Sequence, residues 1–502
     1  MGWSHFDGAV PGMANMYFLG ISCVFSCSDS INYIFFKSLC YQWHKLDFFL
    51  FLCYDFVSEV IDMLKSTNLK RRDTYLNKLI GFQDTEPVKV ITGIRRCGKS
   101  SLLKLMISHL IETGIQEDQI LEMNFESFDF RKMSSEEVYN YVQTHKAVGK
   151  KMYLFFDELQ RIPTWEDAIN AFRVDLNCDI YITGSNAYLL SSEYSTYLSG
   201  RCVEIKMLPL SFKEFLDFHG FSIKESENFL GRKTILLFDK FDNPCDTRQV
   251  FQSYLQFGGM PGISDIGLDQ EKALALLDGI YSTVVIRDIL EREKRRGQRQ
   301  LTDSLLLRKI VLFLADNIGS NISATSIGNI LTNEGLLEET KRRGKPSVHT
   351  VQAYINALIE SYFFYDIKRF DIKGKELLRT LGKYYIVDIG LRNYLLGYRN
   401  RDSGHILENV IFLELKRRGY DVAIGKIDKL EIDFIATKAD EKLYIQVTES
   451  MLNEDVRKRE LAPLQKVRDN YRKIILSLDP GLENSFDGIE SQNIIDWLLE
   501  TN

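Results

Sequence analysis

Residues Gly93 to Ser100 read Gly-Ile-Arg-Arg-Cys-Gly-Lys-Ser, a G-x-x-x-x-G-K-S pattern that follows the β-rich run Val88-Lys-Val-Ile91 and Thr92. Glycines in such a loop let successive backbone N–H groups curl around phosphate oxygens, and a helix starting there adds partial positive charge. Lys99 is spaced to reach the β- and γ-phosphates of a nucleoside triphosphate, and the Ser100 hydroxyl to ligate the Mg²⁺ that bridges them. The expected nucleotide-binding positions are Gly93, Arg95, Arg96, Cys97, Gly98, Lys99, Ser100 and Ser101, with ATP and Mg²⁺ as the expected ligands. The following stretch, SSLLKLMISHLIETG, places Leu102, Leu105, Met106 and Leu110 on one face of a helix that ends near Gly114. A chance glycine loop would leave this order of strand, loop and helix unexplained.

A phosphate loop also needs a carboxylate that holds the metal from the end of a neighbouring strand. Met152-Tyr-Leu-Phe-Phe156 is a continuous apolar run, as expected of a strand covered on both faces, and it ends in Asp157-Glu158. Asp157 is expected to position nucleotide and Mg²⁺, and Glu158 to polarise the attacking water as general base. A solvated acidic turn is the alternative. A further strand, Asp179-Ile-Tyr-Ile-Thr183, ends in Gly184-Ser-Asn186. Ser185 and Asn186 could hydrogen-bond the γ-phosphate or the water, or simply cap a helix. Arg201, just before the run CVEIKML, could complete a neighbouring subunit's site as an arginine finger or be a surface charge.

These elements sit in a chain of 502 residues, long enough for about three domains. With 26% charged and 45% hydrophobic residues, the composition is that of a globular protein rather than a disordered one. A net charge of −6 gives no general electrostatic support for nucleic-acid binding, although a local basic patch could supply it. The eight cysteines include no C-x-x-C pair, and Cys97 lies in the phosphate loop, so the expected compartment is reducing and cytoplasmic. Residues 1–62 differ from the rest: 15 of them are aromatic, and Lys37 and Lys45 are their only basic side chains besides histidine. No basic region precedes the uncharged run from Gly8 to Ser28, which argues against a secretory signal. A membrane anchor, a hydrophobic interaction segment and an extension upstream of the natural start are the readings available. The ordinary patterning from Met63 onwards favours the last, with no stable membrane association.

Between about residues 245 and 300, a stretch that includes the GGMPG turn at 258–262, helical patterns suggest a lid over the site. Residues 301–375 read as a winged-helix unit. Leu305, Ile310, Leu312 and Leu314 are expected in its first helix and SATSIGNILTN in its second. Its third, capped by Ser347, is expected to bury Val348, Val351, Ile355, Leu358 and Ile359. His349, Thr350, Gln352 and Asn356 are then exposed, beside the basic loop Lys341-Arg-Arg-Gly-Lys345. Such a module could enter a DNA major groove or pack on protein. From Leu407 an α/β pattern places Glu408 on a helix and Asp433 on a strand, followed by the strand LYIQV.

The chain resembles the prokaryotic AAA-like ATPases whose ATPase domain precedes a C-terminal domain of unknown function. The resemblance is carried by GIRRCGKSSLL, YLFFDELQRIPTWEDAINAFR, ITGSNAYLLSSEYSTYLSGR, LPLSFKEF, YLQFGGMPGI, YYIVDIGLRNYLLG and GHILENVIFLELKRRGYDV, between about residues 70 and 450. It implies a five-stranded parallel sheet, oligomerisation, and roles in nucleotide chemistry for Gly93, Gly98, Lys99, Ser100, Asp157, Glu158, Asn186 and Arg201. It names no biological partner: beyond ATP, DNA, another protein and further copies of the chain stay open. The last region resembles the restriction-endonuclease-like fold. Glu408 and Asp433 match its first two metal-binding positions, but Gln446-Val447-Thr448 stands where Glu-x-Lys is needed, with Lys429 and Lys442 as nearby substitutes. The expected fold is thus α/β. An atypical segment (1–62) precedes a P-loop AAA-type ATPase domain with a parallel sheet (63–220) and a helical lid (221–300). A winged-helix region (301–375) and a nuclease-like α/β domain without nuclease chemistry (376–502) follow.

Overall fold

The computed structural model describes residues 13–18, 21–26, 69–186, 200–227, 233–290, 303–333, 347–399, 402–480 and 485–500. It divides into two compact units, 1–69 and 70–502. In the first, β1 (Met13–Phe18) and β2 (Ile21–Ser26) pair antiparallel, with Phe18 opposite Ile21. The basic loop at 341–345 lies outside the described residues.

The second unit opens with helix α1 (Asp73–Gly81) and a five-stranded parallel sheet of β3 (Val88–Thr92), β4 (Ile120–Asn124), β5 (Met152–Asp157), β6 (Cys178–Gly184) and β7 (Cys202–Lys206). Their spatial order is β4-β5-β6-β3-β7, so the strand ending in Ser185 and Asn186 lies between the phosphate-loop strand and the carboxylate strand. Side-chain alternation explains why β5 reads as an unbroken apolar run up to Asp157, and why β3 and β6 are largely apolar apart from the buried Lys89 and Asp179. Val88, Val90, Leu154, Phe156, Ile180 and Ile182 share one core with α3 (Ser135–His145) and α4 (Trp165–Asp175). Ile91, Tyr153, Phe155 and Tyr181 share another with α1 and α2 (Lys99–Glu112). Each fully buried large apolar side chain contributes roughly 1.5–3 kcal/mol. In α2, Leu103 is buried and Leu105 only half-buried, so the buried stripe is turned slightly from the expected one.

After α5 (Phe212–Phe218), β8 (Ser222–Glu227), β9 (Lys233–Phe238) and β10 (Pro244–Cys245) form a small sheet, so the expected helical lid begins only at α6 (Thr247–Phe257). The lid continues through α7 (Gly262–Ile266) and α8 (Gln270–Tyr281) into a π-helix, Ser282–Ile289. Beyond it come α9 (Ser304–Asp316), β11 (Asn321–Ile322), α10 (Ala324–Asn333), α11 (Val348–Glu360), β12 (Phe364–Asp371) and β13 (Glu376–Ile386). Leu305 lies in α9 and is exposed, and Val348 is exposed rather than buried. Each sits in the first turn of its helix, before the helix meets its neighbours, and Leu306, Leu307 and Tyr354 fill the core instead. The expected boundary at 375/376 falls in the turn of the β12–β13 hairpin, so the two regions share one structure.

Helices α12 (Ile389–Leu396) and α13 (Ser403–Arg417) lead into β14 (Asp421–Ile427), β15 (Leu430–Lys438) and β16 (Glu441–Val447). Then follow α14 (Glu454–Lys466), β17 (Arg472–Ser477), β18 (Ser485–Phe486), β19 (Ile489–Asn493) and α15 (Ile494–Leu499). The strands from β11 onwards form one nine-stranded sheet, ordered β11-β13-β12-β14-β15-β16-β17-β19-β18. Among the described residues, no helix is long and apolar enough to cross a membrane.

Lid, sheet and C-terminal region meet at one backbone joint. The Leu210 N–H donates to Gly259 O (2.7 Å), and the Gly259 N–H donates to Asp388 Oδ2 (2.6 Å). A Cβ on Gly259 would lie 2.4 Å from Leu210 O, and one on Gly390 would lie 2.1 Å from Phe257 O. Only glycine permits such approach.

Candidate nucleotide site

Gly98, in the left-handed region at φ 103°, ends the loop and caps α2, so the helix N-terminus faces the same space as the loop. A cavity of about 420 Å³ opens there. Arg95, Arg96, Gly98, Lys99, Ser100 and Ser101 line it from the loop, and Glu126 and Glu158 from the sheet edge. Pro261 and Thr283 line it from the lid. The Lys99 ammonium donates to Gly93 O (3.1 Å) and Ile94 O (3.2 Å) and lies 3.8 Å from Glu158 Oε1. The Cys97 side chain does not line this cavity. It is fully buried beneath the loop, its Sγ directed at Met207 O (3.6 Å), and burial pushes its thiol pKa up.

Asp157 is buried at the end of β5. Asn124 Nδ2 donates to it (3.1 Å), and the Thr183 hydroxyl and the Ser100 side chain also hydrogen-bond to it. Burial raises its pKa, against the opposing pull of those hydrogen bonds and of Lys99. Thr183 Oγ1 accepts from the Glu158 N–H (2.9 Å), and Glu158 itself is left-handed at φ 57°. Its Oε2 accepts from Gln160 Nε2 (2.5 Å) and Ser185 Oγ (3.1 Å). Ser185 thus holds the carboxylate expected to act as general base, and Asn186 follows it at the same strand end. A left-handed non-glycine residue held by several partners is the sort of strain found at functional positions.

Arg95 joins loop to lid, with Nη1 donating to both oxygens of Asp288 on the π-helix (3.0 Å each) and Nη2 to Glu126. Glu126 also accepts from Arg161 Nη2 (2.5 Å). Arg201 is not brought to this cavity. It is exposed at the beginning of β7, where its carbonyl accepts from Val88 N–H (2.9 Å), whereas the phosphate loop follows the opposite end of β3. Glu126, Gln160, Thr183, Asn124 and Asp288 went unread in the sequence, because single polar residues at strand ends or in helices have no diagnostic spacing.

A second polar cluster lies in the C-terminal region. Glu408 on α13 and Asp433 on β15 are brought together, and Gln446 on β16 stands beside them, its Oε1 accepting from the Asp433 N–H (3.4 Å). Gln446 Nε2 donates to Glu460 (2.9 Å). Neither expected lysine substitute is there. Lys442 lies against the rings of Phe370, Tyr444 and Tyr471, and Lys383 on β13 enters the cluster instead. Burial opposes the Lys383 charge, but Glu408, Asp433 and Glu431 hold its pKa above the usual value. Burial, followed by the Glu408 charge, pushes Asp433 well up.

The model of an AAA domain matches residues 85–216, and that of a Domain of unknown function (DUF8612) matches residues 248–402. An uncharacterized protein of Haemophilus influenzae is 39% identical over 431 residues, covering 86% of this chain and 98% of its own. The uncharacterized protein MJ1544 of Methanocaldococcus jannaschii is 29% identical over 436 residues, covering 84% and 88%. Among solved structures, the Walker-type ATPase of Pyrococcus abyssi is similar at 17% identity and a TM-score of 0.41, covering 65% of this chain and 95% of its own. An AAA domain around the phosphate loop and a relative matched along nearly its whole length make the chain a member of the prokaryotic AAA-like P-loop ATPase family, in which that domain precedes a C-terminal domain of unknown function.

Proposed function

We propose that the protein hydrolyses ATP with Mg²⁺ and uses the cycle to move its lid and C-terminal regions against a partner. The observation that carries this reading is the shared cavity, where Lys99, Ser100 and Glu158 face Pro261 and Thr283 of the lid while Arg95 bridges to Asp288. Backbone N–H groups of the loop and the Lys99 ammonium would bind the phosphates, and Ser100 and Asp157 would hold the metal. Mg²⁺ supplies charge neutralisation at the phosphates. Glu158, fixed by Gln160 and Ser185, would take the proton of the attacking water, with Asn186 beside it. Arg201, exposed and away from its own cavity, is assigned to a neighbouring subunit's site.

The three helices and the β11-β13-β12 strands are read as a winged helix whose exposed His349, Gln352 and Asn356 offer a face for DNA. The C-terminal region is read as a nuclease-shaped platform without cleavage chemistry. The deciding experiment measures ATP turnover by the purified protein with and without DNA. Mg²⁺-dependent turnover is expected, and nucleotide that binds without turnover would make the protein a switch module instead. For Arg201→Ala we expect turnover to fall by a factor on the order of 10³ with nucleotide affinity nearly unchanged. Specific activity independent of protein concentration in a proven monomer would remove the trans role.

A further inference from the structure

We propose that Lys383 is a built-in cation that fills the C-terminal acidic centre in the place a divalent metal would take, and so closes that centre to metals. The inference rests on the reading of this region as non-cleaving and is independent of the ATPase reading. The carboxylates come from α13 and β15 and the ammonium from β13, which β12 and β14 separate from β15 in the sheet order. The pairing register shifts between Ile367 and Arg369 on β12 and between Ala423 and Gly425 on β14. Lys383 Nζ lies 3.2 Å from Glu408 Oε2, 2.9 Å from Glu431 Oε1 and 4.0 Å from Asp433 Oδ1, and its side chain is only 4% exposed. An ammonium has three donors, and three carboxylates surround this one.

The remaining oxygens are engaged as well. Glu408 Oε2 accepts from the Tyr385 hydroxyl (3.0 Å), and Glu408 Oε1 faces His405 Nδ1 (3.5 Å). Asp433 Oδ2 accepts from the Val447 N–H (2.8 Å), and Glu431 Oε2 from Asn321 Nδ2 (2.9 Å). Gln446, at the position where the fold needs a third carboxylate, is spent on the Asp433 N–H and Glu460. A divalent ion needs several oxygens at roughly 2.0–2.6 Å, and here it would also meet the positive charge of Lys383 at close range. The residues present do not fit a metal. A neutral glutamine in place of a carboxylate lowers the negative charge that one ammonium must balance.

The test is Mn²⁺ titration of the full chain without nucleotide, followed by electron paramagnetic resonance, in an Asp157→Asn background that weakens any metal site at the phosphate loop. The parent and its Lys383→Arg variant should show no binding that Glu408→Gln removes. Lys383→Met should gain one bound Mn²⁺ with affinity raised roughly tenfold or more, and adding Glu408→Gln should abolish it. Lys383→Met leaves buried carboxylates uncompensated and could fail to fold. Its melting temperature is therefore measured with and without Mn²⁺, and a rise in this variant but not in the parent is the expected result. A folded Lys383→Met that ignores Mn²⁺ overturns the proposal. So does a parent that binds one Mn²⁺ lost with Glu408→Gln, a result that stands even if Lys383→Met cannot be purified. Parent binding without DNA cleavage overturns this inference alone, whereas metal-dependent cleavage lost in Asp433→Ala overturns the non-cleaving reading too.

Discussion

Lys99 and Glu158 lie 3.8 Å apart, yet their surroundings assign them different work. Lys99 folds over loop carbonyls that a phosphate would displace it from, while Glu158 is held by Gln160 and Ser185. Lys99→Ala should therefore abolish tight ATP binding, and Glu158→Gln should keep ATP bound and lose hydrolysis. Equilibrium binding and turnover measured on both variants check this, and equal loss of binding would mean the roles are misassigned. The loop and the Asp157-Glu158 pair were legible in the sequence because their spacing is itself the signal. The clamp was not, because Gln160 and Thr183 gain meaning only when β5 and β6 lie side by side.

Among the elements, β3, β5 and β6 were legible because both faces are buried, which leaves mostly apolar runs, whereas β4, with Ile-Leu-Glu-Met-Asn largely half-buried, went unread. The small β8–β9 hairpin was not legible either, since Ser222-Ile-Lys-Glu-Ser-Glu227 has no apolar alternation. The buried Lys89–Asp179 ion pair also escaped notice, although it sits inside two strands of the sheet. The π-helix that ends the lid has no sequence signature either, yet it presents Asp288 to Arg95. If this ion pair holds the nucleotide-free lid against the loop, Asp288→Ala should loosen it. We expect faster limited proteolysis within 260–290 without nucleotide, at a stability cost of about 1 kcal/mol or less because the pair is partly exposed. Unchanged cleavage would show that the lid is held by its packing alone.

At the scale of the whole molecule, Asp388 accepts backbone N–H bonds from Gly259 and Leu391 (2.6 and 3.0 Å). Burial outweighs them and pushes its pKa up to about 6. A carboxyl raised in the folded state favours its protonated form. Its contribution to stability is full below the unfolded value and is lost as pH rises through about 6. Lowering the pH from 7 to 5 should therefore stabilise the protein through this group by about 1 kcal/mol, or roughly 1–3 °C in Tm. Asp388→Asn should have a lower Tm and lack this increment, and an identical pH profile in both proteins would exclude Asp388 as its source. The expected boundary at 375/376 falls inside a hairpin, whose two strands carry no mark in sequence that they belong to one sheet. The joint around Asp388 has a mechanical consequence. Leu210, Gly259 and Asp388 are linked largely through peptide groups, with no room for a Cβ at Gly259 or Gly390, so the junction acts as a weld rather than a hinge. A tilt imposed at Pro261 on the pocket's rim must then travel to α12 as a rigid lever would carry it, with no slack at the fulcrum to absorb the stroke.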